Sequence, residues 1–103
     1  MKINGIIWLR DVVDKIAYKH KVETYEVEET LSGKPKFRFV EKGHRPGENV
    51  YAAFGQSEAG RYLIVYFVHK IGLWTKRTFS ALGDLTHVLD AIYGGAPKIY
   101  HHI

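Results

Sequence analysis

The segment that most restricts the fold runs from Arg61 to Lys70. Within it, Tyr62-Leu63-Ile64-Val65-Tyr66-Phe67-Val68 is the longest apolar run, seven residues of branched and aromatic side chains between basic ends. It is far shorter than the roughly 20 apolar residues of a membrane-spanning helix. Its composition favours extended backbone, on which branched and aromatic side chains pack well. The run predicts the central strand of a sheet, covered on both faces or covered on one by a partner.

The rest of the chain supplies neighbours for that strand. Beyond Pro35, Phe37 and Phe39 alternate with Arg38 and Val40, which predicts a strand. Gly43-His44-Arg45-Pro46-Gly47-Glu48-Asn49 has turn composition, Val50 to Gly55 is extended again, and Ser57-Glu58-Ala59-Gly60 is the next turn. Gly72 allows a reversal into a fourth strand over Leu73 to Ala81. Connections of hairpin length imply an antiparallel meander.

Helical spacing flanks the predicted sheet on both sides. After Ile6-Ile7-Trp8, residues Leu9, Val12, Val13, Ile16 and Ala17 share one face of a helix that ends near His20. A second helix over Glu23 to Leu31 has glutamates in its first turn, where the helix dipole favours them, and Gly33 and Pro35 stop it. Near the end, Leu85, Val88, Leu89 and Ile92 recur at intervals of three, one and three after Asp84, an N-cap residue type, which predicts a C-terminal helix closed by Gly94-Gly95 and Pro97. The expected class is α+β, with two N-terminal helices, a four-stranded antiparallel meander and a C-terminal helix.

Composition narrows the function. A chain of 103 residues with 46% hydrophobic and 25% charged side chains reads as one domain over 1–103 that closes a core without staples. The absence of cysteine removes disulfides, thiolate metal sites and cysteine nucleophiles, and the cytoplasm is the expected compartment. Arg10, Asp11 and Asp14 interrupt any secretory signal, and no membrane association is expected. A formal charge of +4 suits a polyanionic partner.

Familiar enzyme motifs are missing. The six histidines show neither His-x-x-x-His nor His-Glu-x-x-His spacing, so no metal site is expected, and no cofactor either. Gly43 to Gly47 lacks the Gly-Lys-Ser/Thr ending of a phosphate loop, and no serine lies in Gly-x-Ser-x-Gly. What remains is cleavage of a phosphodiester by ordinary side chains: a base for the 2′-hydroxyl, cations for the phosphorane and an acid for the leaving oxygen. His20, Arg61 and Arg77 provide those groups if the sheet gathers its basic positions on one face. The competing reading makes Arg61 and Arg77 solvated strand charges and His20 a partner of the helix dipole.

Several segments in order resemble the BrnT-type toxins of bacterial type II toxin-antitoxin modules. They are Trp8 to Thr30 with Lys19-His20 and Glu26-Val27-Glu28-Glu29, Arg45 to Gln56, and Gly60-Arg61-Tyr62-Leu63-Ile64-Val65; the likeness covers roughly residues 6 to 81. The resemblance implies a RelE-like fold, a metal-independent ribonuclease activity that arrests growth, and a BrnA-type antitoxin encoded beside it; a homodimer and a heterotetramer with the antitoxin are the assemblies expected. It assigns catalysis to His20, Arg61 and Arg77, and RNA binding to Lys19, Arg45 and Lys76. One departure matters. In the family, Ser-Ala-Arg leads into a helix with consecutive arginines, whereas here Ser80-Ala81 is followed by Leu82-Gly83 and a segment, Asp84 to Tyr93, that has no arginine. Loss of an oriented charge donor of this kind costs a transition state about 2.7 to 4 kcal/mol, which implies an attenuated enzyme. A non-catalytic module that binds antitoxin or nucleic acid is the alternative, and an interaction domain with neither property is the third.

Overall fold

Side chains of the central strand alternate strictly between buried and half-buried. In the computed structural model, which describes residue 3 and residues 5–43, 48–73 and 82–94, Leu63, Val65, Phe67 and His69 are buried. Tyr62, Ile64, Tyr66, Val68 and Lys70 between them are half-buried. Among the described residues, the helices cover one face of the sheet.

In chain order the elements are β1 (Ile6–Ile7), α1 (Arg10–His20), α2 (Thr24–Ser32), β2 (Lys36–Lys42), β3 (Glu48–Gln56), β4 (Tyr62–Leu73) and β5 (Leu82–Tyr93). The strands form one sheet in the order β1-β5-β4-β3-β2. Neighbours from β2 to β5 pair antiparallel, and β1 pairs with β5 in parallel through Ile6 opposite Thr86 and Ile7 opposite His87. Both helices pack on the face that carries Leu63, Val65 and Phe67. There Ile16 of α1, Val22 of the turn, and Val27 and Leu31 of α2 join Ala53, Val88 and Ala91 in one core. Phe67 sits at its centre, stacked on Tyr51 at 5.9 Å and meeting Phe37 edge-on at 6.0 Å. Among the described residues no helix is long and apolar enough to cross a membrane.

This architecture corrects the expected layout. The sheet has five strands and is mixed, and the segment Asp84 to Tyr93 is a strand in place of the C-terminal helix, so the RelE-like arrangement with a four-stranded antiparallel meander does not hold. The predicted fourth strand over Leu73 to Ala81 falls, beyond Leu73, outside the described residues.

The helical spacing of Leu85, Val88, Leu89 and Ile92 runs across a bulge. Tyr66 pairs with Asp90 and Phe67 with Val88, so Leu89 is an extra residue in β5. An extra residue shifts the alternation of a strand by one. Val88 and Ala91, three apart, therefore both point into the core, the interval that a helix face also produces. Pairing along β4 outweighs the weak local preference.

Among the described residues β2 is an edge strand, whose residues are all exposed except half-buried Phe37. It carries Lys36, Arg38 and Lys42, and its ladder is broken at Val40, between Phe39 and Glu41. Charges and a bulge are common devices on an unpaired edge.

Phe67→Ala should lower the unfolding free energy by about 3–5 kcal/mol in urea titration. Phe39→Ala, at a position 52% exposed, should cost less than about 1 kcal/mol.

Candidate functional site

The site begins where α1 ends. Lys21 adopts a left-handed backbone, φ 57°, and the Val22 N–H donates to the Ile16 carbonyl at 3.0 Å. The Lys21 N–H donates to the same carbonyl, so the two bonds together close the last turn of α1. Burial of Val22, fully enclosed in the core, holds a conformation that an L-residue otherwise avoids. Two residues on, Glu23 and Glu26 cap α2 reciprocally: the Glu23 side chain accepts from the backbone of Glu26, and the Glu23 N–H donates to Glu26 Oε1 at 3.0 Å. The short link fixes the directions of His20, Lys21 and Glu26 together.

Opposite this link lies the second half of β5. Lys15 of α1 donates to the carbonyl of Leu89, the bulged residue, at 2.7 Å. The next residue, Asp90, presents its carboxylate to α1. Its Oδ1 lies 3.3 Å from His20 Nε2 and accepts from the Ala91 N–H at 2.9 Å, while Oδ2 is 3.9 Å from Lys15 Nζ. A carboxylate against Nε2 favours the tautomer with the proton there, which leaves Nδ1 as the basic nitrogen. The His20 side chain is 29% exposed, so solvent and solutes reach it.

Three residues further along, Tyr93 enters the same region. Its hydroxyl lies 3.1 Å from the Lys21 carbonyl and 3.3 and 3.1 Å from the two Glu26 carboxylate oxygens. It also accepts from Arg61 Nη1. The Arg61 guanidinium carbon sits 4.6 Å from the centre of the Tyr93 ring, a cation-π distance. Arg61 is placed by the turn before β4, where Ser57 N–H donates to its carbonyl at 2.9 Å and its own N–H donates to Ser57 Oγ at 3.3 Å. Glu26 is only 6% exposed. A carboxylate so enclosed needs donors, and the Tyr93 hydroxyl and the Glu23 N–H are placed to supply them.

Of the residues expected to act, the structure brings His20 and Arg61 into one neighbourhood, joined through Lys21 and Tyr93. Lys19 is exposed on the last turn of α1, one residue before His20. Arg45, Lys76 and Arg77 lie outside the described residues. Asp90, Tyr93, Lys15 and Glu26 are partners that the sequence pattern did not single out. The first two belong to the segment read as a helix. The signal that would have exposed them is the β-branched series Thr86, Val88 and Ile92 opposite a long apolar strand.

Chemically, the site offers a carboxylate-oriented imidazole, a phenol and a guanidinium. These can accept a proton, donate one and stabilise negative charge. By contrast, a cavity of about 480 Å³ beside α2 is lined by Glu28 and Glu29 together with Tyr25 and Leu31. Its charge is unsuited to phosphate. No protein-family model matches the chain, and no curated protein matches it.

Tyr93→Phe should destabilise the fold by about 1 kcal/mol or more, because it leaves enclosed Glu26 short of a donor. Combined with Glu26→Gln in a double-mutant cycle read by urea unfolding, the pair should show a coupling of about 0.5–3 kcal/mol.

Proposed function

We propose that the chain is a BrnT-like toxin component, a metal-independent ribonuclease of reduced activity that acts in the cytoplasm and is neutralised by a BrnA-type antitoxin. The observation that carries this reading is the His20–Asp90 pair at 3.3 Å on the side of the sheet to which Tyr93 brings Arg61. In the proposed reaction His20 Nδ1 takes the proton of a 2′-hydroxyl. Arg61 meets charge on the phosphorane, and the Tyr93 hydroxyl or protonated His20 supplies the proton to the leaving oxygen. Asp90 orients the imidazole. Lys19 and Lys15 add positive potential for the RNA backbone, and Arg45, Lys76 and Arg77 stand as further cationic candidates by resemblance.

A second reading is favoured by a specific contact. Arg61 is already bonded to Tyr93 and lies over its ring, and an arginine so engaged must exchange those contacts for a phosphate. A chain that keeps them is a binding module for antitoxin or nucleic acid without turnover. The missing arginines after Ser80-Ala81 point the same way.

Purified chain incubated with total RNA in the presence of a metal chelator should produce slow cleavage. His20→Ala should reduce the rate about 10²-fold or more, as loss of a general base does. Arg61→Ala and Asp90→Asn should also reduce it, with the fold checked by circular dichroism. No cleavage and no growth arrest from the native sequence would leave only the binding module.

A further inference from the structure

The opposite face of the sheet holds a second arrangement of cations and rings. Pro35 packs against Gly55 on the helix-covered face, where a Cβ built on that glycine would lie 3.0 Å from the Pro35 Cβ and 3.1 Å from Thr30 Cγ2. In extended chain the residues on either side of Pro35 point the other way. Lys34 and Lys36 therefore project onto the open face. They meet Phe54, Gln56 and Tyr62 there, since Lys36 pairs with Phe54 and Gln56 pairs with Tyr62 in the ladder. With Gly55 these residues line a groove of about 370 Å³. Both lysines and Gln56 are exposed, Tyr62 is half-buried, and none of the described lining residues is acidic.

We infer that this groove is a subsite for one nucleotide of single-stranded RNA, with Lys34 and Lys36 on its phosphate and Tyr62 beside its base. Two ammonium groups without a carboxylate select an anion, and phosphate is the anion that such lysines hold as point charges. An aromatic wall adds preference for a flat heterocycle. The Gln56 amide donates one N–H to the Gly60 carbonyl at 3.2 Å. That bond orients the side chain, and its Oε1 remains to accept from an exocyclic amine. The groove opens at the end of the sheet where Arg61 and Tyr62 are consecutive and face opposite ways. A strand of RNA bent around that end reaches Arg61 and His20 from one side and the lysines from the other. The inference takes its ligand class from the RNA-directed reading above, but its location and residues are separate from the proposed cleavage site.

The test uses the full chain and a fluorescein-labelled 2′-O-methyl oligoribonucleotide, which lacks the hydroxyl needed for cleavage, with anisotropy measured from 50 to 200 mM salt. Each phosphate contact contributes about −0.7 to the slope of log affinity against log salt for single strands. Lys34→Gln/Lys36→Gln should weaken binding about 10-fold or more and flatten the slope by about 1.4, twice that increment. Lys34→Arg/Lys36→Arg should restore both. Tyr62→Leu should weaken binding with the slope unchanged, and Tyr62→Phe should retain it. Arg10→Gln/Lys42→Gln removes the same net charge elsewhere and should change little. Equal losses in the two charge-matched pairs, or no loss in the first, overturns the groove. Cleavage of unmodified RNA by the native chain is measured alongside. Cleavage without an effect of the lysine changes removes the groove and keeps the nuclease, whereas lysine-dependent binding without cleavage does the reverse.

Discussion

The extra residue at Leu89 governs the geometry on which the proposed chemistry rests. Without it, β5 would keep one alternation along its length, and Tyr93 would lie on the same face as Ile92 now does, away from α1 and α2. The shift of one residue turns Ala91 into the core and carries Tyr93 to Lys21, Glu26 and Arg61. The bulged residue's carbonyl also accepts from Lys15. Lys15 then brings α1, and His20 with it, alongside Asp90. One irregularity in a ladder thus places both members of the His20–Asp90 pair.

Glu26 connects this strand to the helices. Its carboxylate caps α2 through the Glu23 N–H and accepts from the end of β5, so helix initiation and strand placement share one buried group. Such sharing makes local errors costly, because a carboxylate that loses one donor in a low-dielectric setting cannot recover it from water. It also explains the tolerance of a left-handed lysine at the helix junction: Val22 and the cap of α2 both require the sharp reversal that Lys21 makes.

The physical signals differ in how far they can be read from the chain. Apolar residues at helical spacing from Val12 to Ala17 lie on α1, and Glu26, Val27 and Leu31 on α2, because amphipathic faces record which side is covered; Leu9, read onto the same face, instead precedes α1 and is 48% exposed. The seven-residue apolar run lies on β4 for the same reason. Its even composition hides that only one face is covered by helices, since tyrosine and valine are as acceptable half-buried as buried. β5 escapes detection because Leu85, Val88, Leu89 and Ile92 keep helical intervals along the chain, although Leu89 is the extra residue of a bulge and Ile92 lies on the opposite face of the sheet from Val88. β1, at two residues, is too short to carry any period. His20 and Arg61 are legible as chemically competent side chains. Asp90 and Tyr93 are not, because their relation to them depends on strand register, a property of two distant segments at once.

The two margins of the sheet have opposite characters. On one side β1 and α1 close off β5; on the other β2 presents Lys36, Arg38 and Lys42 along a ladder interrupted at Val40. Two copies that met margin to margin would set like charges against each other across a crooked seam. Indefinite stacking into fibres through this margin therefore lacks a straight template.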